Sequence, residues 1–197
     1  MVEELLDDTK FIVVPRHFAN QIRLLANRLG MNVSDFAVEA LTQAMRALEL
    51  GSNIREAVDM YHLNNVQRGA GNIQVTRTVF KEVLEMLYDS DGDELHKLWY
   101  DQGKWYGAYL KAKLSRDQIL KFLERDLLVT WNLDEAEVIQ QDLMVSIRCV
   151  SFGMSEIFTD LMVSYIRGIA EELGFAENEY DALRGLVYLK FLGKLTN

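Results

Sequence analysis

The stretch Thr9–Leu48 constrains this chain most, because its apolar spacing changes once and its joints are short. Thr9–Val14 is a β-branched, apolar run that Pro15 stops. Pro15 is the only proline in the chain, and it suits the first position of a following helix. Phe18, Ile22, Leu25 and Leu29 then recur on one helical face. Gly30 is placed to end that helix in a left-handed conformation. Asn32 is placed to cap the next helix, with Asp35 three residues on. Val33, Ala37, Ala40, Leu41, Ala44 and Leu48 form its apolar stripe, and Gly51 ends it. The spacing predicts strand, helix, helix.

One strand and two helices of this length cannot bury their apolar faces alone. The order of parts resembles the ribbon-helix-helix family of DNA-binding domains. The matching residues are the strand closing on Val14-Pro15, the helix ending in Leu29-Gly30, and Asn32-Val33-Ser34-Asp35-Phe36 opening the second helix. The resemblance implies a dimer, with two strands paired antiparallel above four helices and the ribbon in the DNA major groove. Val14, Ile12 and Lys10 share one strand face, and Val13, Phe11 and Thr9 the other. In that family the second face carries polar side chains to base edges. Here Thr9 is its only hydrogen-bonding side chain, while Phe11 and Val13 offer apolar contact to thymine methyls. The DNA contacts the resemblance implies are Thr9, Lys10, Phe11, Val13 and Arg16, with the helix opening Asn32, Val33 and Ser34 holding a phosphate.

The net charge is -9, which opposes nucleic-acid binding as a bulk property. Its distribution runs the other way at this end. From Thr9 to Ser34 there is no Asp or Glu, whereas Lys10, Arg16, Arg23 and Arg28 are present. Arg16, Asn20, Arg23 and Asn27 fall on one helix face, opposite the apolar stripe. A solvated helix face that lacks acids reads the same way.

Apolar content of 49% and charged content of 26% place the chain among ordinary globular proteins. No apolar run reaches the length of a membrane span. Met1-Val2-Glu3-Glu4 is acidic where a secretory signal is basic, so a cytoplasmic location is expected. The single cysteine, Cys149, excludes an intrachain disulfide. His17, His62 and His96 have no metal-motif spacing, and neither metal nor cofactor is expected.

Val66–Asn72, VQRGAGN, is the clearest break in the chain. The expected division is a head over residues 1–52, a connecting helix and linker over 53–70, and an α+β domain over 71–197. In that last part, Ile73–Thr76 alternates like a strand, and Arg77–Tyr88 has a helical apolar face. Asp89–Asp93 reads as a turn before a long aromatic helix, Glu94–Lys113. Gly103 and Gly107 lie four apart on that helix, which suggests close approach of another backbone or room for a ligand. Trp99 and Tyr106 extend the same apolar surface, so Trp99, Gly103, Tyr106 and Gly107 are the candidate ligand or interface residues. Ser115 and Gln118 form a capping box for a helix reaching about Val129. Glu137–Ile139 and Leu143–Phe152 read as strands, Ser155–Leu173 as a helix, and Leu183–Leu192 as a strand or strand pair.

This order, with the LWYDQGKWYGAYL helix and its paired glycines, resembles the small-molecule-binding domain named after 4-vinyl reductase. That domain is related to haem-based nitric-oxide sensor domains and to small subunits of vesicle-tethering complexes. Its family often carries cysteines in the terminal hairpin, and Ala182–Asn197 has none. The fold class expected is helix-rich α+β, a dimeric ribbon-helix-helix head followed by an α+β domain. The two resemblances imply a dimeric DNA-binding transcriptional regulator with a C-terminal ligand-sensing or dimerisation domain. The alternative is a homodimeric scaffold or assembly protein that keeps the ribbon-helix-helix fold without binding DNA. No nucleophile–base pair or phosphate loop stands out, so an enzyme is not expected. Expected partners are a second copy and double-stranded DNA, with an apolar small molecule if the glycine face is open, and no membrane.

Overall fold

The computed structural model describes residues 12–193. The chain is helix-rich α+β, and it divides into two compact units, Met1–Tyr61 and His62–Asn197. Unit 1 holds α1 (Arg16–Arg28), α2 (Val33–Glu49) and the first part of α3 (Ile54–Gly69). Pro15 is the residue before the first turn, and Gly30 and Gly51 follow the helix ends at φ 68° and 77°. That conformation costs L side chains energy and costs glycine none. Asn32 accepts the amide of Asp35 at 2.8 Å, which caps α2.

The expected strand before Pro15 is corrected. Ile12, Val13 and Val14 have no strand pairing, and Val13 is 96% exposed. Thr9, Lys10 and Phe11 lie outside the described residues. An extended run is a strand only where another edge takes up its amides and carbonyls.

Unit 2 is built on a four-stranded antiparallel sheet, β1 (Glu135–Gln141), β2 (Met144–Val150), β3 (Phe175–Leu183) and β4 (Leu186–Gly193), in the order β1-β2-β4-β3. Val145, Ile147 and Cys149 lie opposite Phe191, Leu189 and Val187, and all six are buried. This is period-2 alternation with one face turned to the core. Helices α4 (Arg77–Lys113), α5 (Arg116–Thr130) and α6 (Glu156–Glu172) supply the remainder of that core, with Tyr106, Leu110, Leu123, Leu127, Ile166 and Ile169 deeply buried. Burial raises the Cys149 thiol to about 12, so it is an inert apolar side chain here.

Three further expectations change. Ile73–Thr76 is not a strand, and Ile73 and Val75 are exposed without a pairing edge. Asp89–Asp93 does not break the chain into two helices. Instead α4 runs through it with a kink at Asp91, whose φ of −139° and ψ of 37° are non-helical. Phe175–Leu183 is a full strand, of which only its last residue falls within the strand read at 183–192.

At the start of α5, the Ser115 amide and hydroxyl both donate to Gln118 Oε1, at 3.1 and 2.8 Å. Replacing Ser115 with alanine removes a cap and is expected to cost about 1 kcal/mol, read as a lower urea midpoint at unchanged slope.

Candidate functional site

The polar centre of unit 2 is one carboxyl. Asp126 sits on the fourth turn of α5 and is 1% exposed. Three side chains from three helices converge on its Oδ1: Gln67 Nε2 of α3 at 2.9 Å, Tyr106 Oη of α4 at 3.1 Å, and Thr130 Oγ1 of α5 itself at 3.2 Å. Gln67 also donates to Thr130 Oγ1 at 2.7 Å. The rings of Tyr109 and Tyr165 stack beside Tyr106, with centroids 6.3 and 6.0 Å away, and Trp131 lies 5.7 Å from Tyr165.

Each part is there for a local reason. Asp126 and Thr130 are four apart and so share a helix face. Tyr106 follows the close α4–α6 crossing that the glycines permit. Gln67 shares α3 with Leu63 and Val66, which are buried and seat this part of the helix. Burial raises the Asp126 carboxyl above its ordinary value, and the bonds from Gln67, Tyr106 and Thr130 oppose that shift. Burial also raises the Tyr106 and Tyr165 hydroxyls, and the Asp126 charge adds to both. The arrangement can hold a proton on Asp126 in an interior closed by aromatic rings. Asp126 and Gln67 were not among the sequence candidates. An acid on an otherwise apolar face of α5, between Leu123 and Leu127, was the signal available.

A second network lies where α4 meets α6. His96 Nδ1 is 2.9 Å from Ser164 Oγ, its Nε2 is 3.1 Å from Tyr88 Oη, and Ser164 Oγ donates to the Asp160 carbonyl at 3.1 Å. Desolvation raises the Asp160 carboxyl, and His96 opposes this.

The four ligand or interface candidates come together on α4, and α6 of the same unit covers them. A Cβ on Gly103 would strike the Tyr165 carbonyl, and one on Gly107 would lie 3.0 Å from Glu172 Cβ and 3.1 Å from the Ile169 carbonyl. Tyr106 is fully buried, and Trp99 packs half-buried against Phe80, with centroids 6.1 Å apart. Of the DNA candidates, Val13 is irregular and exposed, Arg16 opens α1, and Asn32, Val33 and Ser34 form the exposed start of α2.

No family model matches the chain, and no curated protein matches it. Among solved structures it is similar to one titled "Probing the function of heme distortion in the H-NOX family". The identity is 15%, the match covers 70% of this chain and 88% of that one, and the TM-score is 0.37. A likeness so loose fixes no chemistry. Both family resemblances drawn from the sequence are corrected. The solved structure similar to the chain is of neither the ribbon-helix-helix nor the 4-vinyl-reductase type, and residues 12–14 form no ribbon. The reading as a DNA-binding transcriptional regulator falls with them, as does its alternative of a scaffold built on a ribbon-helix-helix fold. The DNA-contact roles of Thr9, Lys10, Phe11, Val13, Arg16, Asn32, Val33 and Ser34 belonged to that reading and are not carried further. No helix among the described residues is long and apolar enough to cross a membrane, and no described group of three His, Cys, Asp or Glu is placed to hold a metal ion.

Proposed function

We propose that this chain is a non-catalytic binding protein that works as a homodimer, with unit 1 as the self-associating part. The observation that carries this reading is the composition of the interior of unit 1. Its only buried residues among those described are Ala26 and Ala47. Leu24, Leu25, Leu29, Val38, Leu41, Met45 and Leu48 are all exposed. Each such side chain, once fully buried, stabilises by about 1.5–3 kcal/mol. Helix pairs with so little core of their own reach stability by burying this surface against another chain. A second copy supplies an identical apolar face, which is how closed two-fold dimers form.

The absence of a working nucleophile favours binding over catalysis. Ser164 lies beside His96, yet it is buried and donates to the Asp160 carbonyl. Haem chemistry, the subject of the similar structure's title, does not fit the residues of this chain. An axial histidine needs a ring nitrogen free to face a cavity. His96 has both nitrogens engaged, and His62 is exposed with its ring against Phe122. His17 stands exposed on α1. The clefts of about 230 and 340 Å³ in unit 2 are lined by no histidine.

Light scattering of the purified chain at micromolar concentration is expected to return twice the chain mass of 22.7 kDa. Leu25→Glu combined with Leu41→Glu is expected to give a monomer, because charge burial at such a face is prohibitive. A monomeric wild type overturns the reading.

A further inference from the structure

We propose that Gln67 and Asp126 form a proton-controlled latch, in which proton uptake by one buried carboxyl fastens the C-terminal half of α3 to unit 2. The half-helix His62–Gly69 is held by few groups. Leu63 and Val66 are buried, Tyr109 Oη donates to the Val66 carbonyl at 3.2 Å, and Gln67 reaches Asp126 and Thr130. Every other cross-link of this half-helix is apolar or ring contact, such as His62 against Phe122. Asp126 is therefore the ionisable group beneath it.

Docking acts on Asp126 in two opposed ways. It removes water from the carboxyl, which penalises the charged form, and it brings the Gln67 amide, which favours the charged form. Burial is the larger influence. The titratable groups that face Asp126 are tyrosines, Tyr106 on α4 and Tyr165 on α6, and Gln67 and Thr130 are the remaining polar neighbours. Neutral tyrosines donate no compensating positive charge. With α3 lifted, the carboxyl meets water and returns towards its ordinary value. A carboxyl whose value is higher when docked than when undocked favours docking below the undocked value, and that help is lost as pH rises through the docked value. The latch thus closes in acid and loosens towards alkaline pH. This sign is opposite to that of an ordinary charge-assisted hydrogen bond, which would hold best when Asp126 is ionised.

The test is hydrogen exchange on the full-length chain from about pH 4 to about pH 9, corrected for the intrinsic pH dependence of amide exchange. The amides of residues 63–69 are expected to lose protection as pH rises, by up to about tenfold for each pH unit separating the docked and undocked titrations. The α6 amides of Leu161, Met162 and Ile166 serve as the reference for global opening and should hold their protection. Asp126→Asn keeps the acceptor and cannot ionise, so it should hold residues 63–69 in the protected state across the whole range. Gln67→Ala should speed their exchange at every pH while leaving α6 unchanged. Protection of residues 63–69 in the wild type that is flat with pH, or that rises with it, overturns the latch whether or not either variant folds. A pH slope that persists in Asp126→Asn overturns it as well.

Discussion

Replacing Gly168 with valine is expected to leave unit 2 without a stable fold. A Cβ at Gly168 would strike the Tyr100 carbonyl and come within 2.8 Å of the Lys104 amide nitrogen. Both obstacles are backbone, so no rotamer change relieves them. The crossing is reciprocal, because Gly103 meets the Tyr165 carbonyl and lies 3.2 Å from the Ile169 amide in the same sense. Helices α4 and α6 therefore touch main chain to main chain at two points, and a branched side chain at either must push them apart. Overpacking of a filled core costs about 1–3 kcal/mol and often more where nothing yields. Separation here would also open the contacts of Tyr106, Tyr165, Ile166 and Ile169, which are central to the core. Domains of this size have about 5–15 kcal/mol in total. Far-ultraviolet circular dichroism and a urea titration would show the loss. Gly92→Ala is the control of opposite sign. Its nearest neighbours are Tyr88 ring atoms at 3.9 Å, so a methyl fits, and alanine in a helix is favoured over glycine by up to about 1 kcal/mol. A Gly168→Val protein that melts like the wild type would mean that the two helices do not cross at these glycines.

The glycine spacing was legible because glycine in a helix is costly and needs a reason. Its partner was not, since α6 contributes Gly168 within an ordinary apolar helix and nothing in the linear pattern pairs the two. Strand β3 shows a different limit. Phe175–Leu183, FAENEYDAL, is acidic and poor in β-branched residues. It is an edge strand with an irregularity between Glu177 and Glu179, and such charges and irregularities are what edges carry to avoid further pairing. The cue that hid it from a propensity reading is the cue that suits its place. Thr9–Val14 erred the other way. Its composition is that of a strand, but propensity cannot supply the neighbouring edge, and no described residue of the run is paired. The joints at Gly30, Asn32 and Gly51 were legible because caps and left-handed residues are decided within a few positions. The Asp126 cluster was not, because Gln67 and Asp126 are 59 positions apart and only the packing of α3 on α5 joins them.

Tyr106→Ala is expected to destabilise unit 2 by about 3–5 kcal/mol, the range for emptying a buried aromatic site. Tyr106 is fully buried between Tyr109 and Tyr165, so the cavity has walls that cannot collapse without moving both rings. Tyr106→Phe separates the ring from the hydroxyl. The ring remains, and Asp126 Oδ1 loses one of its three donors. At neutral or alkaline pH, where the carboxyl is ionised, a hydrogen bond to it contributes about 1.5–3 kcal/mol, and to a neutral carboxyl about 0.5–1.5 kcal/mol. The Tyr106 hydroxyl lowers the Asp126 titration, so removing it raises a value that burial has already raised. The folded state of the variant therefore binds its proton more readily still, and stability falls more steeply as pH rises through that value. The deficit of Tyr106→Phe against wild type should be largest in alkali and shrink in acid, once Asp126 is protonated in folded and unfolded chains alike. Urea midpoints at several pH values would measure it. An equal deficit at every pH would place the Tyr106 hydroxyl outside the titration of Asp126, and a deficit that grows in acid would reverse the sign of the coupling.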